Sequence, residues 1–454
     1  MTAGTDAAAR ILRGRTLSFR DDPRVVGPER AMQSHEDGAV VVGRQGRILW
    51  HGAFADLPPE HASAPSERYG REVILPGLID AHVHFPQHRM LAAPAHDLLE
   101  WLERFAFPEE ARYADEDHAA AAAESFLDKL VSHGTTSALV FSSVHGQAAD
   151  CLFRAAQRRG LCLMTGATMM DCNAPPAVTR DAETSARESA ELIASWHEVD
   201  RLRYALTVRF AVTSSEAQLR VAGELLADNP GCLLHTHLSE SAAEIELVQR
   251  LFPWSKDYTD VYERFGLVGE SAVFAHGIHL SERECQALHD AGSMVVFCPT
   301  SNAFLGSGLF DIEHLGADPR PVRVGVASDI GGGTSYSLLQ TLAEAYKISR
   351  LKGCSFNAFD GFYLATLGNA RGLRLDNEIG TLDAGRWADV VVLDPCATPV
   401  LAARQELSES LEDMLFALMM LGDDRAVRAV YIKGEKVAGR DRNGGEGLSL
   451  GESR

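Results

Sequence analysis

The run Leu78 to His84, Leu-Ile-Asp-Ala-His-Val-His, sets His82 and His84 one residue apart at the end of an apolar stretch. On an extended strand, residues i and i+2 project to the same side, so the two imidazoles share a face. Three later apolar runs end in groups of the same kind: His237 in His-Thr-His-Leu-Ser-Glu, His276 in Phe-Ala-His-Gly-Ile-His-Leu, and Asp329 in Val-Ala-Ser-Asp-Ile. A lone histidine in such a run is ordinarily a hydrogen-bonded core residue. Four imidazoles and a carboxylate repeated at run ends point instead to a divalent metal. Zn2+ suits them, because it takes nitrogen and oxygen donors and can keep a position open for water, and iron or manganese fits the same donors.

Glu240 stands three residues beyond His237. A metal-bound water, its pKa lowered toward ~7, needs a group that takes its proton and delivers it to the leaving atom. Glu240 is the candidate for that shuttle, with a solvated residue favoured by a helix dipole as the plainer alternative. Asp329, besides ligating, can accept or orient the water proton. No lysine occurs between Lys129 and Lys256. That removes the carboxylated lysine with which binuclear barrels bridge two metals, so one ion per chain is expected.

These groups need a scaffold that brings run ends together. Between residues 76 and 385, apolar strand-like runs alternate with helical patterns such as those around 117–134 and 184–199. Eight runs can be counted, each nearly continuous in Val, Leu, Ile and Ala, as strands buried on both faces must be. The reading is a (β/α)8 barrel, with catalytic groups at the C-terminal ends of its strands, and a doubly wound sheet as the competing arrangement. Residues 1–75 and 386–454 are β-rich, including a hairpin expected at Lys433-Gly434, and should pair as a small β-sandwich domain that ends in a glycine-rich tail from about residue 440.

A chain of 454 residues with a net charge of -20 repels phosphate backbones and anionic lipid, which disfavours nucleic-acid or membrane-surface binding and leaves small neutral or cationic substrates. Its eight cysteines form no Cys-x-x-Cys, so a reducing compartment fits best. There is no apolar stretch of signal-peptide or membrane-spanning length, and a cytoplasmic location is expected.

Several stretches carry a resemblance. "PGLIDAHVHFPQ" (76–87), "HTHLSE" (235–240), "FAHGIHLSERE" (274–284), "CPTSN" (298–302) and "GVASDIGGG" (325–333) resemble the amidohydrolase superfamily. "LLEWLERFAFPEEARY" (98–113), "TVRFAVTSS" (207–215), "YTDVYERFGL" (258–267) and "TSYSLLQTL" (334–342) are similar to the guanine deaminases within it. The resemblance implies one Zn2+ per chain held by His82, His84, His237, His276 and Asp329. Gln87, Arg209 and Phe210 would hold the purine, a flat base that needs an amide, a donor fork and an apolar wall. A zinc-activated water would deaminate guanine to xanthine and ammonia, with Glu240 protonating the ring nitrogen beside the attacked carbon. The alternative is another heteroaromatic amine, such as 8-oxoguanine, a pterin or a triazine. A homodimer is also implied. His145, His279 and Trp101 receive no role, and the remaining histidines, His88 and His96 among them, read as surface or loop residues. The His-x-Glu and Pro-Cys-x-x-Cys elements of the unrelated zinc nucleobase deaminases are absent.

Overall fold

The computed structural model describes residues 7–440 and the backbone of 449–450. Strand β1 (Ala8–Phe19) lies between β2 (Met32–Gly43), antiparallel to it, and β4 (Ser66–Pro76), parallel to it, with β3 (Ile48–Ala53) outside β2. After a long excursion the chain returns to this sheet.

That excursion is the barrel. Its strands are β5 (Leu78–His84), β6 (Thr135–Phe141), β7 (Cys162–Gly166), a two-residue extension β8 (Thr168–Met169), β9 (Leu202–Val208), β10 (Leu233–Leu238), β11 (Ala272–His276), β12 (Met294–Phe297) and β13 (Arg323–Val326). All pair in parallel with their neighbours, and the eight expected runs are the eight barrel strands. The helix Glu116–Ser132 shows why the connections are helical. Asp115 caps it by accepting from His118 N, apolar Ala119, Ala122, Ala123, Phe126, Leu127 and Leu130 recur every three or four residues, and Gly134 at φ 88° ends the turn beyond it.

The chain then completes the first sheet with β14 (Val390–Leu393) against β4, followed by β15 (Val427–Ile432) and β16 (Glu435–Gly439). The β15–β16 hairpin turns at Lys433 and Gly434, with φ of 50° and 75°, the paired positive values of a two-residue turn that matches strand twist. Both chain ends share one core: Leu12, Val40, Val42 and Ile48 from the N-terminal strands pack with Val390, Val392, Ala429 and Tyr431. Most of the expected tail lies outside the described residues. Ser449–Leu450 forms β17, antiparallel to β16.

Two features of the barrel position the chemistry. Asp80 pairs with Ala138 but Val83 pairs with Val140, so β5 carries one extra residue there. This bulge lets Ile79 and Ala81 pack in the barrel interior below while His82 and His84 enter the same interior above. The barrel closes between β5 and the end of β13, where Asp329 N–H donates to His82 O at 3.0 Å and His84 N–H to Ile330 O at 2.5 Å. Lower on the same seam, Asn369 donates to Ile79 O at 2.7 Å and Val326 O at 2.8 Å and accepts from Val326 N at 3.0 Å. Replacing Asn369 with Ala strands these buried main-chain groups and should cost about 2–4 kcal/mol. The expected result is a clearly lower thermal midpoint at constant scan rate; an unchanged midpoint would contradict the seam's role.

Candidate active site

Four donors crowd one point at the mouth of the barrel. His82 Nε2 lies 3.1 Å and His84 Nε2 3.3 Å from Asp329 Oδ1, the two imidazole nitrogens are 3.2 Å apart, and His237 Nε2 is 3.3 Å from His84 Nε2. His276 stands further out, its Nε2 3.8 Å from Asp329 Oδ2 and 3.4 Å from Glu240 Oε2. Bonds of about 2.0–2.2 Å from a single ion place neighbouring donors roughly 3.0–3.4 Å apart, so the donor set fits one such ion. His276 and Asp329 also hold positive φ values, 71° and 50°. Each such residue costs on the order of 1–3 kcal/mol and persists only where its surroundings impose it.

The far side of each ring determines which nitrogen faces the centre. His82 Nδ1 lies 2.7 Å from His235 Nε2, His237 Nδ1 2.6 Å from the Arg209 carbonyl, and His276 Nδ1 2.9 Å from Asn302 Oδ1. This second layer leaves the Nε2 atoms free for metal, as ligating imidazoles require. Burial holds His82 and His237 below the usual histidine pKa and brings His84 to about 4, so the rings are neutral donors at physiological pH. Burial opposes ionisation of Asp329, but the adjacent histidines outweigh it and keep the carboxylate well below its ordinary value. Cys298 Sγ also approaches His82, His276 and Asp329. Burial pushes its thiol well above the usual range, and Sγ donates to Val296 O, 3.5 Å away.

Glu240 reaches the same point from the loop after β10. The loop is pinned on both sides: Glu244 accepts from Glu240 N at 2.9 Å and from Ser241 N at 3.2 Å, and Tyr258 Oη donates to Glu244 at 2.8 Å. Ser307 Oγ donates to Glu240 Oε1 at 3.0 Å, while His279 Nε2 lies 2.8 Å from the Ser307 carbonyl. His279 thus lies behind Ser307, which in turn contacts Glu240. Burial, with the charge of Asp329, raises the Glu240 carboxyl to about 8. It carries a proton at neutral pH.

A cleft opens over this centre, walled by Gln87, Leu98, Trp101, Leu102, Arg209, Phe210, Ser301 and Leu305. Gln87, Arg209 and Phe210 thus meet Glu240 and the donor cluster in one cavity. Trp101 is pocket wall, and its indole N–H has no hydrogen-bond partner among the described residues. Arg209 Nη1 donates to Glu110 Oε2 at 2.6 Å, and Gln87 Nε2 to Glu110 Oε1 at 2.8 Å. Sequence reasoning assigned nothing to Glu110, His235, Ser307 or Asn302. His145 lies outside the cleft, where its Nδ1 accepts from Arg180 Nη2 at 2.7 Å. His96 is exposed as expected, but His88 is not a surface residue: it is 2% exposed, with Nδ1 3.1 Å from the Tyr113 hydroxyl. The turn after β5 folds inward beneath the helix that carries Tyr113, which an isolated loop sequence does not reveal.

A sequence model of the amidohydrolase family matches residues 73–437, from the end of β4 into β16. The chain belongs to this family. Among amidohydrolases it is 43% identical to the guanine deaminase of Escherichia coli K12 over 429 residues, covering 93% of this chain and 97% of that protein. The solved structure of the E. coli guanine deaminase superposes with a TM-score of 0.91 at 41% identity, covering 95% and 100% of the two chains. A guanine deaminase from C. acetobutylicum, solved with guanine in its active site, gives 0.84 at 27% identity over 94% and 99%. Exchange of His84 for Ala should reduce bound metal to on the order of a tenth of wild type or less and lower the thermal midpoint, since metal binding is coupled to the folded site. Elemental analysis showing full metal content in that variant would remove His84 from the ligand set.

Proposed function

We propose that the protein deaminates guanine hydrolytically to xanthine and ammonia. The observation that carries this reading is the one cleft in which Gln87, Arg209 and Phe210 face Glu240 and a cluster of histidines around Asp329. The guanine deaminases that this amidohydrolase resembles over nearly its full length support the same substrate.

His82, His84, His237, His276 and Asp329 are proposed to hold one Zn2+ per chain, a choice supported by their nitrogen and oxygen donors. When bound, the ion supplies a hydroxide nucleophile near neutral pH. The chain's own residues handle substrate and protons. Gln87 offers both donor and acceptor to the purine's polar edge, Arg209 a donor fork, and Phe210 an apolar surface. As water adds at C2, Glu240 gives its proton to the neighbouring ring nitrogen. The water proton, accepted by Asp329 and passed through Glu240, goes to the exocyclic nitrogen as the C2–N bond breaks and ammonia leaves; the hydroxyl proton left on C2 passes to Glu240, which forms the C2 carbonyl and restores the acid. His276 Nε2, between Glu240 and Asp329, is the donor of this set nearest the Glu240 carboxyl. We further propose a homodimer working in the cytoplasm; no helix among the described residues is long and apolar enough to cross a membrane.

Glu240→Gln keeps the shape but removes the transferable proton. Turnover of guanine should fall by on the order of 10²–10⁴, while metal content and purine affinity stay near wild type. Ammonia release measured on guanine, 8-oxoguanine, adenine, cytosine and a pterin should be fastest with guanine. Wild-type turnover in Glu240→Gln would remove the shuttle, and faster release from another base would reassign the substrate.

A further inference from the structure

Glu110 stands behind the substrate wall and does not line the cleft. It is 1% exposed and gives each carboxylate oxygen to a different neighbour, Oε1 to Gln87 Nε2 at 2.8 Å and Oε2 to Arg209 Nη1 at 2.6 Å. The far end of the same amide is held as well, because Gly331 N–H donates to Gln87 Oε1 at 3.1 Å, two residues beyond Asp329. An ionised carboxylate only accepts and a main-chain N–H only donates, so these two partners determine which end of the Gln87 amide is nitrogen and which is oxygen. One N–H and one lone pair remain for a ligand.

The second consequence concerns charge. Arg209 is buried, and a buried guanidinium left alone is strongly unfavourable. Glu110 pairs with it, and Phe107, on the same short helix Phe107–Ala111, presents its ring 5.4 Å from the guanidinium carbon. The Arg209–Glu110 pair has no net charge, so the wall it forms presents hydrogen-bond donors without a free cation. Guanine is a neutral base at mildly alkaline pH, whereas xanthine, with a second ring carbonyl, is a stronger acid and is substantially anionic there. An uncompensated Arg209 would retain that anion.

We propose that Glu110 is a positioning residue that sets the hydrogen-bond polarity of Gln87 and neutralises Arg209, so that the cleft prefers the neutral substrate to its anionic product. This rests on the guanine reading above. The experiment uses metal-loaded wild type, E110Q and E110D, with metal content measured for each. Guanine kinetics are recorded at mildly alkaline pH, together with inhibition by xanthine and by hypoxanthine, a neutral purine of similar shape. In E110Q the KM for guanine should rise about tenfold or more while kcat changes by less than about threefold, because the lost interactions hold the ground state as much as the transition state. The ratio of hypoxanthine to xanthine inhibition constants should shift about tenfold toward tighter xanthine binding, the sign expected of an unpaired guanidinium in a cleft of low polarity. E110D keeps the charge but is too short to hold both partners. It should raise KM and leave the inhibitor ratio within about threefold of wild type.

Wild-type constants in E110Q, or a fall in kcat at unchanged KM, would overturn the proposal while leaving the guanine reading intact. A wild-type protein that releases no ammonia from guanine would overturn both. If E110Q yields no folded, metal-loaded protein, E110D decides: an unchanged KM in E110D counts against the proposal, and a raised KM with the wild-type inhibitor ratio supports it.

Discussion

The first strand of the barrel and the segment just beyond the last meet through two main-chain hydrogen bonds, from Asp329 N–H to His82 O and from His84 N–H to Ile330 O. Everything at the mouth of the barrel hangs on that seam. It joins residues almost 250 positions apart and places the Asp329 carboxylate against the paired imidazoles of β5. Asp80 reinforces it from below by accepting from Ser328 N at 3.1 Å, and Ser328 Oγ donates to its other oxygen. Burial raises the Asp80 carboxyl to about 7, the consequence of putting a carboxyl in the barrel interior with only hydrogen-bond donors to offset the loss of water. The closure that completes the fold is thus also the contact that assembles the donor set, and a defect in one is a defect in the other.

Above the seam, the electrostatics divide into two zones. The donor cluster gathers imidazoles around one aspartate whose carboxyl is held well below its ordinary pKa. The wall over it carries a guanidinium paired with a carboxylate. Between the two sits a glutamic acid whose proton is retained because desolvation and a neighbouring anion both oppose its loss. A buried, dry site makes each interaction stronger than it would be in water. It also makes every unpartnered group costly.

Much of this was legible in the sequence. The apolar runs identify the strands because strands buried on both faces tolerate little else, and the polar residues that end those runs stand out against them. His82, His84, His237, His276, Glu240 and Asp329 were all singled out on that basis, and the structure brings them to one point. What remained hidden lies in contacts between distant segments. The bulge in β5 leaves no mark on its composition. Glu110 is one of two consecutive glutamates, and its neighbour Glu109 pairs with Arg89 and Arg112 near the surface. Only tertiary structure says which of the two turns inward. His235 has the same i and i+2 relation to His237 that flagged His82 and His84, and that spacing could have found it. Arg209 both pairs with a buried carboxylate and faces the cleft, which is possible for a group with five donors. His88 lies in a turn, as a loop residue should, but it is not at the surface, because the segment bearing Tyr113 roofs it.

The central claim is that one ion is held at the barrel mouth by imidazole and carboxylate donors alone, although a cysteine lies within reach. X-ray absorption at the metal edge, on purified protein whose metal has been counted, tests it most directly. The account predicts one ion per chain with a first shell of nitrogen and oxygen at about 2.0–2.2 Å. Two ions per chain, or a sulfur neighbour at about 2.3 Å from Cys298, would contradict it.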